Sequence, residues 1–112
     1  MQVLFLVLNK TECLEEILKE FSKKELHGAT ILDSKGMAHS LDSFTELQFM
    51  LSLRSLLDPT HRESKTVFMV IKDDEVKVVS DIVNRVTGGL DKPDTGILFT
   101  MPVSHLEGFK LK

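Results

Sequence analysis

Two stretches of this chain spell the same order of elements. Leu4-Phe5-Leu6-Val7-Leu8 and Val67-Phe68-Met69-Val70-Ile71 are apolar runs, each followed by a polar turn, an amphipathic helix pattern and a further strand near a glycine. Neither run alternates with polar residues, so both read as strands buried on two faces. After the first, Asn9 or Thr11 is placed to cap a helix, and Glu12, Glu15 and Glu16 suit its positive N-terminal end. Leu14, Ile17, Leu18 and Phe21 then fall at i, i+3, i+4 and i+7, which makes one apolar face. Gly28 signals the stop, and residues 28–33 read as the second strand. After the second run, Asp73 or Asp74 is the expected cap of a helix with Val76, Val79, Ile82, Val83 and Val86 on one side. Thr87-Gly88-Gly89 ends that helix, and residues 97–101 form a last strand closed by Pro102.

A strand–helix–strand unit written twice predicts an α+β fold. The two units joined in one sheet make a ferredoxin-like βαββαβ sandwich, with two helices on one face of a four-stranded antiparallel sheet. The 112 residues fit one domain, 1–112. Residues 37–65, between the halves, are too many for a hairpin turn. They carry an extra helical segment of their own. Ser43 and Glu46 have capping-box spacing, Phe44, Leu47, Met50, Leu51, Leu53, Leu56 and Leu57 follow, and Asp58-Pro59 ends the run. Apolar residues wrap most of its circumference, so core is the favoured reading and a mobile docking element the alternative.

With two helices on one face of the sheet, the other face of these apolar strands still needs cover. An oligomer is therefore expected, ahead of the alternative that residues 44–57 cover that face within one chain. Net charge is −3, so no global basic field attracts nucleic acid. An RNA-binding sheet would present aromatics beside basic residues. Phe5, Phe68 and Phe99 lie in strands among apolar neighbours and are expected to be core. The N-terminal run is shorter than the ~20 apolar residues of a membrane span and has no basic start, so neither membrane insertion nor a signal peptide is expected. The single cysteine, Cys13, forms no intrachain disulfide and fits a reducing, cytoplasmic setting. His27, His39, His61 and His105 are dispersed without metal-ligand spacing, and Cys13 has no assignable base or orienting group. No catalytic or metal residue is expected, and the chain reads as a binding module rather than an enzyme.

Gly28-Ala29-Thr30-Ile31-Leu32-Asp33-Ser34-Lys35-Gly36-Met37 resembles the second strand and the start of the T-loop in the nitrogen-regulatory PII family. There a Gly-x-Thr strand leads into a Lys-Gly-Phe-Gly turn. Residues 66–103 are similar to the second half of that family: a strand, an Asp-initiated helix, a Thr-Gly B-loop, then a glycine and a strand ending Pro-Val, here Leu98-Phe99-Thr100-Met101-Pro102-Val103. Residues 38–65 fall outside the resemblance. It implies a signal-transduction protein: a homotrimer with sheets facing a central core and a small anionic ligand in clefts between subunits. Such a protein regulates a partner, for example a transporter, an enzyme or a transcription regulator. The positions that match the family's ligand contacts are Gly28, Thr30, Lys35, Gly36, Met37, Thr87, Gly88, Gly89, Lys92, Thr95 and Gly96.

The departures refine that expectation. The chain has no tyrosine, so tyrosyl uridylylation is excluded. Gly36-Met37-Ala38-His39-Ser40 lacks the arginine of the family's turn, and Asp94-Thr95-Gly96-Ile97 carries isoleucine where the family places a phosphate-contacting lysine. The Lys110-Leu111-Lys112 tail stands where the family supplies arginines. Charge-assisted contacts are worth about 1.5–3 kcal/mol each, so losing several disfavours ATP and favours a different ligand; its identity stays open, an adenine nucleotide being what the resemblance implies. The alternative function is a CutA-like structural or metal-linked trimer, which shares the subunit fold.

Overall fold

A computed structural model describes residues 1–37 and 63–108. Strand β1 (Gln2–Leu8) leads through a 3-10 turn (Thr11–Cys13) into helix α1 (Leu14–Lys23), then strand β2 (Thr30–Ser34). Strand β3 (Ser64–Ile71), helix α2 (Glu75–Thr87) and strand β4 (Gly96–Pro102) repeat the order. The four strands form one sheet in the order β2-β3-β1-β4, antiparallel at every junction. An α+β sheet of this kind with two helices is compatible with the expected sandwich. The helical segment expected within 44–57 lies outside the described residues.

Side chains alternate across a sheet, so the register decides what each face carries. Leu4 pairs with Met69, and Leu6 with Val67 on one side and Leu98 on the other. Leu4, Leu6, Leu8, Val67, Met69 and Ile71 are essentially inaccessible and face the helices. Ile17 and Phe21 of α1 and Val79, Ile82 and Val83 of α2 close that core. The 3.6-residue spacing of each helix thus delivers its apolar stripe to the sheet. Glu20 of α1 joins the helices at the surface, within 3.6 Å of Arg85 in α2 and 3.4 Å of Lys23.

The other face carries the alternate residues. Phe5 stands opposite Phe68 on one side and Phe99 on the other. Their rings form a row across three strands, Phe68 tilted against Phe5 with centroids 5.9 Å apart and Phe99 stacked on Phe5 at 5.2 Å. Phe99 is 42% exposed and its β4 neighbours Ile97 and Met101 are 58% and 46% exposed. These phenylalanines therefore do not belong to the core beneath the helices. The runs were expected to be buried on both faces; among the described residues the helices bury one, and the other is an apolar surface.

Helix entry differs from expectation. Neither Asn9 nor Thr11 caps α1 through its side chain; the 3-10 turn absorbs the first bonds, with the Cys13 amide donating to the Lys10 carbonyl. At α2, Asp74 occupies the cap position without a side-chain bond, while the Glu75 carboxylate accepts from the Lys72 amide at 2.8 Å. Asp73 instead faces the Met1 ammonium at 3.1 Å and accepts from Gln2 Nε2 at 3.2 Å. The bond from the ammonium, then that from Gln2, holds its carboxyl below the usual aspartate range.

Two predictions follow from this packing. Leu6→Ala removes a fully buried side chain from beneath both helices and is expected to cost about 2–5 kcal/mol in urea unfolding. Asp73 has a folded pKa below its unfolded value, so its contribution is present above the unfolded value and lost as pH falls through the folded one. Melting temperature followed from about pH 5 down to pH 2 should fall more shallowly in Asp73→Asn than in the wild type.

Candidate functional site

The antiparallel order sorts the expected ligand residues by position along the strands. β1 and β2 point the same way, and β3 and β4 run against them. The end of the sheet where β1 and β2 finish also holds the starts of β3 and β4 and the C-terminal end of α2. Lys35, Gly36 and Met37 leave β2 at this end, and residues 87–96 enter β4 there. Gly28 lies at the opposite end. Thr30 stands in mid-sheet beside Phe68, on the open face.

The structure does not bring the two clusters together within one chain. β2 and β4 are the two edges, three strand spacings apart, which is about 14 Å. Lys35, Gly36 and Met37 are exposed at one edge, with Met37 at 77%. Lys92 is exposed near the other, between the exposed carboxylates of Asp91 and Asp94.

The 87–96 loop is held by its own hydrogen bonds. Gly88 takes a left-handed conformation, φ 90°, and its amide donates to the Asn84 carbonyl at 3.1 Å, ending α2 as a glycine C-cap does. Thr87 is buried; its hydroxyl donates to the Val83 carbonyl at 2.7 Å and accepts from the Gly89 amide at 3.3 Å. The Leu90 amide donates to Asn84 Oδ1 at 2.8 Å, and the Lys92 amide to the Gly89 carbonyl at 3.2 Å. The amides of Gly88, Gly89, Leu90 and Lys92 thus have partners within the loop or at the end of α2. Thr95 is also buried, and its carbonyl accepts from the amides of Asn9 and Lys10 at 3.0 and 3.1 Å. Gly96 sits so close to β1 that a Cβ there would lie 2.6 Å from the Val7 carbonyl oxygen. That contact alone demands glycine, whatever else the position does.

Three residues at this end escaped the sequence reading. Lys10 Nζ donates to the Thr87 carbonyl at 2.9 Å, which sets a half-buried cation against the negative end of α2. Its only signal was its place in the polar turn after β1. Asn84 pins the loop to the helix, with Nδ2 donating to the Ser80 carbonyl at 2.9 Å. Ser34, at the end of β2, lies within 2.7 Å of Ser64 Oγ and 2.8 Å of Thr66 Oγ1. Beside them, on the helix side, Asp33 pairs with Lys65 and the bond raises the lysine's pKa. Among the described residues no group of three or more His, Cys, Asp and Glu is placed to hold a metal ion. No helix among the described residues is long and apolar enough to cross a membrane.

No protein-family profile matches the chain, and no curated protein sequence matches it.

Proposed function

We propose that the chain is a PII-like regulatory module of ferredoxin-like fold: a homotrimer that binds a small anionic ligand, an adenine nucleotide being the candidate, between subunits and thereby controls a partner protein in the cytoplasm. The observation that carries this reading is the split site. Lys35, Gly36 and Met37 share one end of the sheet with Lys92, yet occupy opposite edges of it. A heterologous contact in a closed ring brings one edge of a subunit against the opposite edge of the next, which joins such halves. The apolar face of Phe5, Phe68 and Phe99 supports the same assembly, because a surface of this kind favours association.

The ligand is assigned from the resemblance and from charge. Lys35 and Lys92 are exposed cations at the two edges, and Lys10 adds a third beside the 87–96 loop. The amides of Gly88, Gly89, Leu90 and Lys92 are already bonded and are not donors for a polyphosphate. Ligand binding at the β2 end would act on the adjoining chain after Met37, which leads into the segment that differs most from the PII family. A change in partner affinity on binding is the regulatory step; residues 38–62 lie outside the described residues.

Thermal melting of the intact assembly with AMP, ADP and ATP tests the reading. AMP or ADP is expected to raise the melting temperature in a concentration-dependent manner and more than ATP does. Lys35→Ala and Lys92→Ala should each reduce the shift. An intact oligomer that none of the three nucleotides stabilises would contradict the nucleotide assignment.

A further inference from the structure

Hydrogen-bond parity shows which peptide groups the two edge strands leave over. The Val103 amide donates to the Met1 carbonyl and the Asn9 amide to the Thr95 carbonyl, one pair beyond either end of the β1–β4 register. Bonded and unbonded pairs alternate along an antiparallel ladder. The odd-numbered pairs Val3–Met101, Phe5–Phe99 and Val7–Ile97 therefore carry the bonds between β1 and β4. Leu98 and Thr100 turn their amides and carbonyls to the free side of β4. The same alternation, carried across the sheet, has β1 bond β3 through Leu4–Met69 and Leu6–Val67, and β3 bond β2 through Thr66–Leu32 and Phe68–Thr30. Ile31 and Asp33 are left on the free side of β2. Among the described residues neither edge has a strand neighbour there.

The two edges fit each other. Leu98 and Thr100 on β4, and Ile31 and Asp33 on β2, all lie on the helix side of the sheet, opposite Leu6, Leu4, Val67 and Lys65. A β4–β2 junction between copies thus keeps helix side with helix side and open face with open face. Exposed edges are ordinarily guarded by charge. β4 has no charged residue, and β2 has only Asp33, already paired with Lys65. Pro102 has no amide to donate, so 97–101 is the run of β4 that is complete between Gly96 and Pro102. β2, at 5 residues, matches that run end to end. Antiparallel, the match sets Ile97 beside Ser34, Phe99 beside Leu32 and Met101 beside Thr30. Phe99 is 42% and Leu32 50% exposed in the single chain, so both gain cover. A β4–β4 contact centred on Phe99 would instead set Pro102 against Gly96 at both ends, which leaves each Gly96 carbonyl without a donor there.

We infer that β4 of each copy pairs antiparallel with β2 of the next, Phe99 facing Leu32, so that main-chain hydrogen bonds join the sheets edge to edge. This rests on the assembly proposed above and adds to it the contact and its register. Leu98 bonds with Asp33 and Thr100 with Ile31. One step beyond, Lys35 of the next copy comes opposite Gly96, where the 87–96 loop enters β4. Lys35, Gly36 and Met37 thus reach that loop from the neighbouring copy, and neither copy holds both parts alone.

The test is cysteine pairing in a Cys13→Ala background, with sedimentation to score assembly. Within one chain Thr30 and Met101 lie on opposite edges. In the inferred register they form a pair without hydrogen bonds between copies, where Cα atoms are about 4.5 Å apart and a disulfide can close. Thr30→Cys with Met101→Cys should give covalent dimers and trimers under mild oxidation. Leu32→Cys with Met101→Cys lies on the diagonal, about 7–8 Å apart, and should not link. Phe99→Cys alone should not link either, since it meets itself only in a β4–β4 contact. Assembled protein in which the first pair fails to link, the diagonal pair links equally well, or Phe99→Cys links alone overturns the inference and leaves the assembly standing. A monomeric wild type overturns both. Hydrogen exchange on the unaltered wild type needs no variant: the amides of Ile31, Asp33, Leu98 and Thr100, unbonded within one chain, should be protected in the assembly. Rapid exchange of these amides in the intact assembly overturns the inference as well.

Discussion

The pairing register of β1 governs this molecule. As the strand with a partner on each side inside the pair β3 and β4, it fixes at once which residues meet the helices and which do not. Leu4, Leu6 and Leu8 fall beneath α1 and α2, and Val3, Phe5 and Val7 fall on the far side. A slip of one residue would exchange the two sets. Gly96 helps to hold the register, because only a residue without Cβ lets β4 approach the Val7 carbonyl so closely. The Thr95 carbonyl, bonded to the amides of Asn9 and Lys10, ties the next step of the chain to the same alignment.

From that register the site follows. Pairing β1 with β4 brings the loop after α2 to the end of β1, where Lys10 reaches the Thr87 carbonyl. Pairing β3 with β2 brings Ser34 against Ser64 and Thr66 at the opposite edge. One chain thus carries two chemically different groups of residues: cations beside the 87–96 loop at one edge, hydroxyls and Lys35 at the other. The row of phenylalanines lies between them on the open face. The proposed assembly would cover this face and bring the two edges of neighbouring subunits together.

Much of the fold was legible in the sequence because it depends on local periodicity. The two apolar runs, both helix stripes and the Gly88 stop are patterns within a few residues of one another. The division of each run into two unequal faces was not legible, since Phe5 and Leu6 look equally buried until a partner strand assigns them. Helix caps were misjudged for a related reason: Asp73 serves the chain start at Met1, seventy-two positions away, rather than the helix beside it. At the candidate site, the glycines and threonines of 87–96 were visible as types but not as roles. Thr87 and Thr95 are buried in the loop's own bonding, and the Ser34 cluster joins β2 to a strand that begins thirty residues later. Such long-range hydrogen bonds leave no spacing signature.

The central claim is that further copies of the chain cover the open sheet face. Its most direct test is the solution mass of Phe99→Asp beside the wild type, measured by sedimentation equilibrium. Phe99 lies away from the helix-side core, so a charge there should leave secondary structure intact while opposing burial of the face. The account predicts a trimeric wild type and a folded, monomeric variant. A monomeric wild type, or a variant that assembles as the wild type does, would contradict it.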